Sequence, residues 1–189
     1  MPSQRHIEGY AIVSDDGMLA NSLGVMPDSL KFKADHDFFI QGLEGIQVVV
    51  QGRHSHEHQP RSYRRRRVIL TRKVKDLGPD PFDPTAFLWN PAGASFEQAL
   101  DAIGQPNDRI AIIGGTDVFA LFLDRYDVFF LSRAPGAKLP NGRPVFPGVP
   151  EATPEEVMTR HGLRAAERRV LDETRGIAVT AWRRDLPSK

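Results

Sequence analysis

Short apolar runs alternate along the chain with stretches in which apolar side chains recur at helical spacing. Runs of this kind that end at glycine, aspartate or proline are typical of buried strands. They predict strands over residues 9–13, 46–50, 66–71, 87–89, 109–113 and 128–132, and a C-terminal hairpin over 163–171 and 177–183. Strands that alternate with helices in this way favour a mostly parallel sheet.

Three stretches have the spacing of an amphipathic helix. The first covers residues 30–43, the second covers 96–103 with Ser95 as its predicted cap, and a short third covers 117–123. The segments that remain between elements contain glycine and proline and are predicted loops, over residues 18–29, 78–84 and 134–150.

These elements predict a three-layer α/β fold, in which a central and mostly parallel sheet has helices on both faces. The C-terminal hairpin would add antiparallel strands at one edge of the sheet. A chain of 189 residues is long enough for one domain with a substantial core. We therefore expect residues 1–189 to form a single domain without internal repeats.

Composition excludes several classes of site. The chain has no cysteine, which excludes disulfides, thiolate metal ligands and cysteine nucleophiles. Its 25 basic and 24 acidic side chains nearly balance, so no overall charge attracts the protein to nucleic acid or to a membrane surface. The N-terminal residues do not resemble a signal peptide and no apolar run is long enough to span a bilayer, so we expect a cytoplasmic location.

Two predicted strand ends carry residues that suit a phosphorylated ligand. Gly114 and Gly115 stand between a strand and a helix, where backbone amides can approach a phosphate closely. Gly52 and Arg53 follow another strand, and a guanidinium group pairs with phosphate in a bidentate manner. A tight turn and a solvated loop are the alternative interpretations of these two features.

Two clusters of charged or metal-binding residue types have competing interpretations. His54, His56 and His58 would share one face of an extended segment and form a metal site there, although the sequence has no second cluster of ligands. The four arginines at residues 64–67 are either a solvated surface or, for at least one of them, a contact to an anionic group of the substrate.

Asp35 is a candidate proton-holding group. It shares a face of the first predicted helix with Phe39, and apolar surroundings raise the pKa of a carboxyl group. Asp37 is its competitor on the same helix, and an exposed carboxylate without a role is the alternative for both. The residues alone do not decide between them.

Taken in order, these pieces resemble the dihydrofolate reductase family over most of the chain. The most specific parts are Gly52-Arg53-His54-Ser55-x-Glu57 after one strand and Ile113-Gly114-Gly115-x-x-Val118-Phe119 after another. Weaker matches fall in the expected order, at Val25-Met26-Pro27, Ala34-Asp35-x-x-x-Phe39, Ser95-Phe96-Glu97-Gln98-Ala99 and Phe146-Pro147.

The resemblance implies an NADPH-dependent reductase of dihydrofolate or a related pterin. Asp35 would bind the pterin and support its protonation, and Phe39 would pack on the substrate ring. Ser132 would reach the pterin amino group, or Asp35 through water. Arg65, or Arg64 in its place, would bind the carboxylate of the glutamate tail. His36 stands where an apolar residue would touch the aminobenzoate ring.

The resemblance also implies a cofactor site at the glycine-containing strand ends, and residues 18–28 would form a closing lid. The cofactor-binding residues that it implies are Arg53, His54, Ser55, Thr71, Arg72, Gly114, Gly115, Thr116, Val118, Phe119 and Ala20. It implies no metal ion, and its partner is a small molecule.

Several departures from the family leave the substrate open. Asp28 stands where the family has tryptophan, the segment between Pro27 and Asp35 is longer than usual, and His36 is polar. The turn over residues 14–20 also resembles the reductase domain of riboflavin biosynthesis, which shares this fold and NADPH but reduces a ribosylaminopyrimidine phosphate. A nucleotide- or metal-binding module that has lost the chemistry is the non-enzymatic alternative.

Overall fold

A computed structural model describes residues 5–54 and 62–184. Its strands are β1 (His6–Val13), β2 (Met18–Ala20), β3 (Val48–Gly52), β4 (Arg66–Leu70), β5 (Leu77–Pro79), β6 (Ala86–Trp89), β7 (Arg109–Ile112), β8 (Val128–Arg133), β9 (Arg143–Pro144), β10 (Leu163–Asp172) and β11 (Ile177–Arg184). Its helices are α1 (Lys33–Leu43), α2 (Phe96–Ile103), α3 (Thr116–Leu121) and α4 (Pro154–Arg160), with 3-10 turns at Asp28–Leu30 and Ser62–Arg64.

Within the described residues, nine of the strands form one sheet in the order β10-β11-β8-β1-β7-β3-β4-β6-β5. The six strands from β8 to β6 run parallel to their neighbours. β11 pairs antiparallel with β8 and β10 pairs antiparallel with β11, which confirms the predicted C-terminal edge hairpin. β5 is antiparallel to β6, so the opposite edge is antiparallel as well.

Helices cover both faces of the sheet and produce the predicted three layers. On one face, α1 places Phe38 and Phe39 against a cluster that contains Tyr10, Val49 and Ala111. The other face carries α2, α3 and α4, whose buried apolar side chains join the larger core cluster with those of β1, β3, β7 and β8. Because strand side chains alternate between faces, each central strand contributes to both clusters.

The predicted loops are wrong in part, because each contains a short strand. β2 lies within residues 18–29, β5 within 78–84 together with Leu77, and β9 within 134–150. Strands of two or three residues are too short to show an alternating pattern. Within residues 5–54 and 62–184, β2 and β9 pair only with each other, in a separate two-stranded ribbon.

Two helix predictions also need correction. α1 begins at Lys33 rather than at residue 30, because Phe32 is extended, with φ −118° and ψ 127°, and the fully buried Leu30 belongs to the preceding 3-10 turn. α4 was not predicted, although the sequence carries its start signal. Thr153 forms a capping box with Glu156, and Pro154 occupies the first turn.

No helix among the described residues has the length and apolar character that crossing a membrane requires.

The capping box of α2 provides a test of local stability. The Ser95 hydroxyl accepts a hydrogen bond from Gln98 N at 3.2 Å, and the Gln98 side chain accepts one from Ser95 N at 2.8 Å. We expect Ser95→Ala to lower the free energy of unfolding by about 1 kcal/mol in urea denaturation. Ser22→Ala, in an exposed turn, is the control and should change it by less than about 0.5 kcal/mol. Equal effects of the two substitutions would contradict the capping role.

Candidate active site

The carboxyl ends of β1, β7, β3 and β4 lie side by side in the middle of the sheet. Parallel register places Val50 beside Ile112, and Gly52 beside Leu70. The loops that start with Arg53, Thr71 and the Gly114–Gly115 pair therefore begin at one edge of the sheet. In open α/β sheets, this is the edge at which ligands bind.

The Gly114–Gly115 turn is supported on one side and open on the other. Its peptide bond is cis, and Gly114 has φ +107° with the Phe119 ring 3.0 Å from the position that a Cβ atom would take. Gly52 N donates to Gly114 O at 2.8 Å, which joins the turn to β3. A Cβ atom on Gly115 would meet nothing within 4 Å, so a ligand has room to lie against the backbone there.

The predicted phosphate-binding arginines stand at the two adjacent strand ends. Arg53 and His54 are exposed after β3, with 3.4 Å between Arg53 Nη2 and His54 Nε2, and Arg72 is exposed after β4. Neither arginine forms an ion pair with any residue in 5–54 or 62–184. Thr71 accepts a hydrogen bond from Lys73 N at 3.2 Å. Ser55, the remaining member of this group, lies outside the described residues.

The predicted cofactor site includes three residues of α3, the helix that follows the Gly114–Gly115 turn. Val118 and Phe119 are 5% and 2% exposed, and the Phe119 ring packs edge-on against Phe129 at 5.3 Å. The Thr116 hydroxyl donates to the carbonyl oxygen of Pro144 at 2.5 Å. The side chains of these three residues are therefore already engaged with the protein, and their predicted contacts with a cofactor stay predictions.

The predicted lid, residues 18–28, begins with the strand β2. Ala20 is buried and pairs with Arg143 of β9. Beyond it, Asn21 Oδ1 accepts hydrogen bonds from Leu23 N and Val25 N, both at 3.0 Å, and so closes a local turn. Leu23 and Val25 are 84% and 57% exposed, so this segment presents apolar side chains to solvent beside the candidate site.

Asp35 and Ser132 meet at the start of α1. Ser132 lies on β8, is 2% exposed and donates a hydrogen bond to the Asp35 carboxylate. Burial raises the pKa of Asp35 above its ordinary value, although the Ser132 hydroxyl and the nearby His36 act in the opposite direction. This carboxyl group can therefore hold a proton at a pH where an exposed aspartate has lost it.

The other predicted substrate residues are distributed along α1. Phe39 is half-buried, with its ring edge-on to Tyr10 at 5.6 Å, and His36 is exposed. Arg65 lies beyond the C-terminal end of α1, is 5% exposed and donates from Nη1 to Leu43 O at 3.4 Å. The structure thus places Phe39 and His36 on the helix that carries Asp35, whereas Arg65 lies at the opposite end of that helix.

The remaining residues of the arginine run are held in different ways. Arg64 is exposed, and its guanidinium carbon lies 5.7 Å from the centre of the Tyr63 ring. Arg66 bonds both carboxylate oxygens of Asp108 at 3.0 Å, and Arg67 bonds Asp83 at 2.9 Å. Arg66 and Arg67 thus already have carboxylate partners within the protein.

The metal-site hypothesis receives no support from the described part of the chain, in which no three histidine, aspartate or glutamate side chains come together as a metal site. Of the three histidines that prompted it, His56 and His58 lie outside the described residues.

Sequence reasoning did not assign a role to the side chains of the turn between β1 and β2. Ser14 Oγ donates to the Asp16 carboxylate at 2.5 Å, and the same carboxylate accepts from Leu139 N at 3.1 Å. Partial burial pushes the pKa of Asp16 upward, but these two hydrogen bonds outweigh it and leave the pKa below its ordinary value. The Ser-Asp-Asp-Gly cluster predicted a turn, but its bond to a distant loop is visible only in three dimensions.

Comparisons with known proteins identify the fold. No protein-family model and no curated protein matches the chain. Among solved structures, a protein provisionally named for riboflavin biosynthesis from Shewanella sp. PV-4 has a TM-score of 0.66 at 19% identity, over 96% of this chain and 99% of that one. Dihydrofolate reductase from Enterococcus faecalis, complexed with NADP(H) and RAB-propyl, has a TM-score of 0.62 at 17% identity, over 95% and 96%.

A third solved structure is bifunctional. The diaminohydroxyphosphoribosylaminopyrimidine deaminase and 5-amino-6-(5-phosphoribosylamino)uracil reductase from Thermotoga maritima has a TM-score of 0.65 at 18% identity, over 96% of this chain. The chain spans 57% of that protein. The three structures share the dihydrofolate reductase-like fold, and the present chain has this fold too.

The raised pKa of Asp35 predicts a pH-dependent cost in stability. Above its ordinary pKa of 3.8, the unfolded chain loses this proton while the native state still holds it, so native stability falls as the pH rises through that interval. We expect Asp35→Asn to be more stable than the parent near pH 7, with the advantage shrinking as the pH falls toward 4. Urea denaturation at several pH values measures the difference.

Asp37→Asn is the matched control for this experiment. Asp37 is on the same helix, and its carboxylate bonds Lys33 Nζ at 2.5 Å. Its removal should leave stability near pH 7 unchanged or slightly lower, because an exposed i,i+4 pair contributes about 0.3–0.5 kcal/mol. An Asp35→Asn protein that is less stable than the parent near pH 7 would contradict the assignment.

Proposed function

We propose that the chain is an NADPH-dependent reductase of a pterin, such as dihydrofolate, or of a similar nitrogen heterocycle. The observation that carries this proposal is the pairing of Asp35 with Ser132 at the sheet edge where the Gly114–Gly115 turn is open. A half-buried carboxyl group and an open stretch of glycine backbone thus occur together. We further propose a cytoplasmic enzyme whose partner is this small molecule, with no nucleic-acid or membrane partner.

The chain's residues fit a phosphorylated dinucleotide. The space beside Gly115 would accept its pyrophosphate, and the guanidinium groups of Arg53 and Arg72, which have no carboxylate partner among the described residues, would bind the additional phosphate of NADPH. The apolar side chains of the lid segment would cover the site and exclude water. When bound, NADPH supplies a hydride for reduction of the heterocycle.

Asp35 would hold and deliver the proton that accompanies reduction. Its raised pKa keeps the carboxyl group partly protonated closer to neutral pH, which is the condition for a general acid. The Ser132 hydroxyl fixes the orientation of the carboxylate, and Phe39 would pack against the ring of the heterocycle. Both Ser132 and Phe39 are placed by secondary structure, on β8 and α1, so the arrangement is formed before the substrate binds.

Reduction of a ribosylaminopyrimidine phosphate is the second candidate function. The observation in its favour is the polar mouth of the site. The Asp28 side chain is 96% exposed, its carboxylate bonds Lys31 Nζ at 2.9 Å, and His36 is exposed. An aminobenzoyl ring is apolar and gains little from such groups, whereas the sugar hydroxyls of a ribose phosphate can donate to the Asp28 carboxylate and its phosphate can accept from the His36 ring.

Discrimination between NADPH and NADH tests the cofactor assignment. We expect Arg72→Gln to weaken NADPH binding by about tenfold and to leave NADH binding unchanged, because a hydrogen bond to a charged group contributes roughly 1.5 kcal/mol or more. Titration calorimetry with both cofactors measures this. Arg169→Gln, on the exposed edge strand β10, is the charge-matched control. Equal losses for the two cofactors would place Arg72 away from the additional phosphate.

Oxidation of NADPH followed by absorbance tests the reaction. We expect turnover with dihydrofolate or with the ribosylaminopyrimidine phosphate, and a loss of about 100-fold or more in Asp35→Asn, since a positioned general acid contributes roughly 10²–10⁴. Asp37→Asn should retain activity. If neither substrate supports NADPH oxidation by the parent protein, the proposed reductase function is wrong.

A further inference from the structure

The Thr116 hydroxyl has one hydrogen to donate, and that hydrogen is committed to the protein. Thr116 is the first residue of α3 and directly follows Gly115. Its Oγ1 donates to Pro144 O at 2.5 Å. A phosphate oxygen can only accept a hydrogen bond, so this hydroxyl cannot serve a phosphate while the bond to Pro144 is in place.

Pro144 belongs to the ribbon from which the lid extends. It lies in β9, which pairs antiparallel with β2, and Met18 is opposite Pro144. Val145 N donates to Gly17 O at 3.0 Å just beyond the ribbon. The lid, residues 18–28, begins with β2 and continues beyond Ala20, the last residue of that strand. A shift of Pro144 would therefore also move β2, the strand with which the lid begins.

The ribbon is also tied to the loop that follows β8. The Asp16 carboxylate accepts from Leu139 N at 3.1 Å, and Asp15 Oδ2 accepts from Gly136 N at 2.9 Å. At Gly142, a Cβ atom would lie 2.5 Å from Ala20 O, so the two backbones are in close contact. β2, β9 and this loop thus form one connected unit, and Thr116 joins that unit to the Gly114–Gly115 turn.

We infer that Thr116 is a positioning residue that transmits occupancy of the Gly114–Gly115 turn to the lid through Pro144. This inference rests on the proposed function, in which a dinucleotide phosphate lies against the turn. A phosphate there restrains the backbone at Gly115 and Thr116. The hydrogen bond from the Thr116 hydroxyl then restrains Pro144, and the pairing of β9 with β2 restrains β2. Thr116 thus acts on the lid and not on the cofactor directly.

Two substitutions separate this role from a direct contact. Thr116→Val keeps the shape of the side chain and removes the donor, whereas Thr116→Ser keeps the donor. Without cofactor, we expect the amides of residues 18–20 and of Arg143 and Val145 to exchange hydrogen about two- to twelvefold faster in Thr116→Val than in the parent, the range expected for one neutral hydrogen bond. Thr116→Ser should restore the slower exchange. Thr180→Val on β11 is the control and should leave these amides unchanged.

The second measurement adds NADPH. In the parent and in Thr116→Ser, we expect NADPH to slow exchange over residues 18–27. In Thr116→Val, NADPH should bind with a dissociation constant within about threefold of the parent, because the backbone amides are retained, yet it should protect the lid less. With a substrate that is turned over, kcat should fall more than KM rises.

Each result that would contradict the inference or the proposed function can be distinguished from the others. Equal lid protection in Thr116→Val and the parent would overturn the inference and leave the reductase proposal intact. A large loss of NADPH affinity in Thr116→Val, recovered by Thr116→Ser, would overturn it in favour of a direct contact between the hydroxyl and the cofactor. A parent protein that does not bind NADPH would refute the proposed function and, with it, the transmission from the cofactor. Unchanged cofactor-free exchange in Thr116→Val would refute the link through Pro144.

Discussion

The contact between the backbones at Gly52 and Gly114 is the constraint on which the candidate site depends. One hydrogen bond of 2.8 Å joins the end of β3 to the turn that follows β7. Gly114 allows it because the turn needs φ +107° and because the Phe119 ring lies where a side chain would begin. Since β4 is in register with β3, the same contact also sets where the loop with Arg72 starts. Two glycines therefore align three loops that are distant in sequence.

The parallel register extends this alignment to the substrate side of the sheet. β1 lies between β7 and β8, so the end of β8 with Ser132 belongs to the same edge as the glycine turn. α1 crosses the opposite face from the one that holds α3, which leaves Asp35 and Gly115 on different sides of the strand ends. A ligand pair with one member on each side would meet across the ends of the central strands.

The elements that could be predicted from the sequence are those whose signals are local. α2 was predicted with the bounds Phe96–Ile103, because Ser95 and Gln98 mark its start and its apolar residues share one face. The central strands were predicted within three residues at each end, because buried parallel strands are continuous apolar runs. β2, β5 and β9 were missed because a pairing of two or three residues depends on the partner strand and leaves no periodic pattern of its own.

The side-chain partners of the four arginines at residues 64–67 could not be predicted from the sequence either. The sequence presents four equivalent cations, yet their surroundings differ completely. Arg64 remains on the surface, Arg66 is paired with Asp108 some forty positions away, and Arg67 is paired with Asp83. Pleating sends successive residues to opposite faces of β4, so neighbours in sequence cannot share one partner. The sequence therefore left a solvated surface and a contact to an anionic group as alternatives, and only the tertiary structure shows that Arg66 and Arg67 already have carboxylate partners.

Two local features of the site do not favour the folded state of the free protein. Burial of the Asp35 carboxyl raises its pKa, so the ionised form at neutral pH is held less favourably than in water. The lid segment keeps Leu23 and Val25 in solvent, where apolar side chains gain nothing. Both lie at the edge that the sheet register defines, whereas the buried core and the capped helices are elsewhere. Under the proposed function, a bound ring and cofactor would cover the lid residues and contact the Asp35 carboxyl group, so that both features would be compensated in the complex.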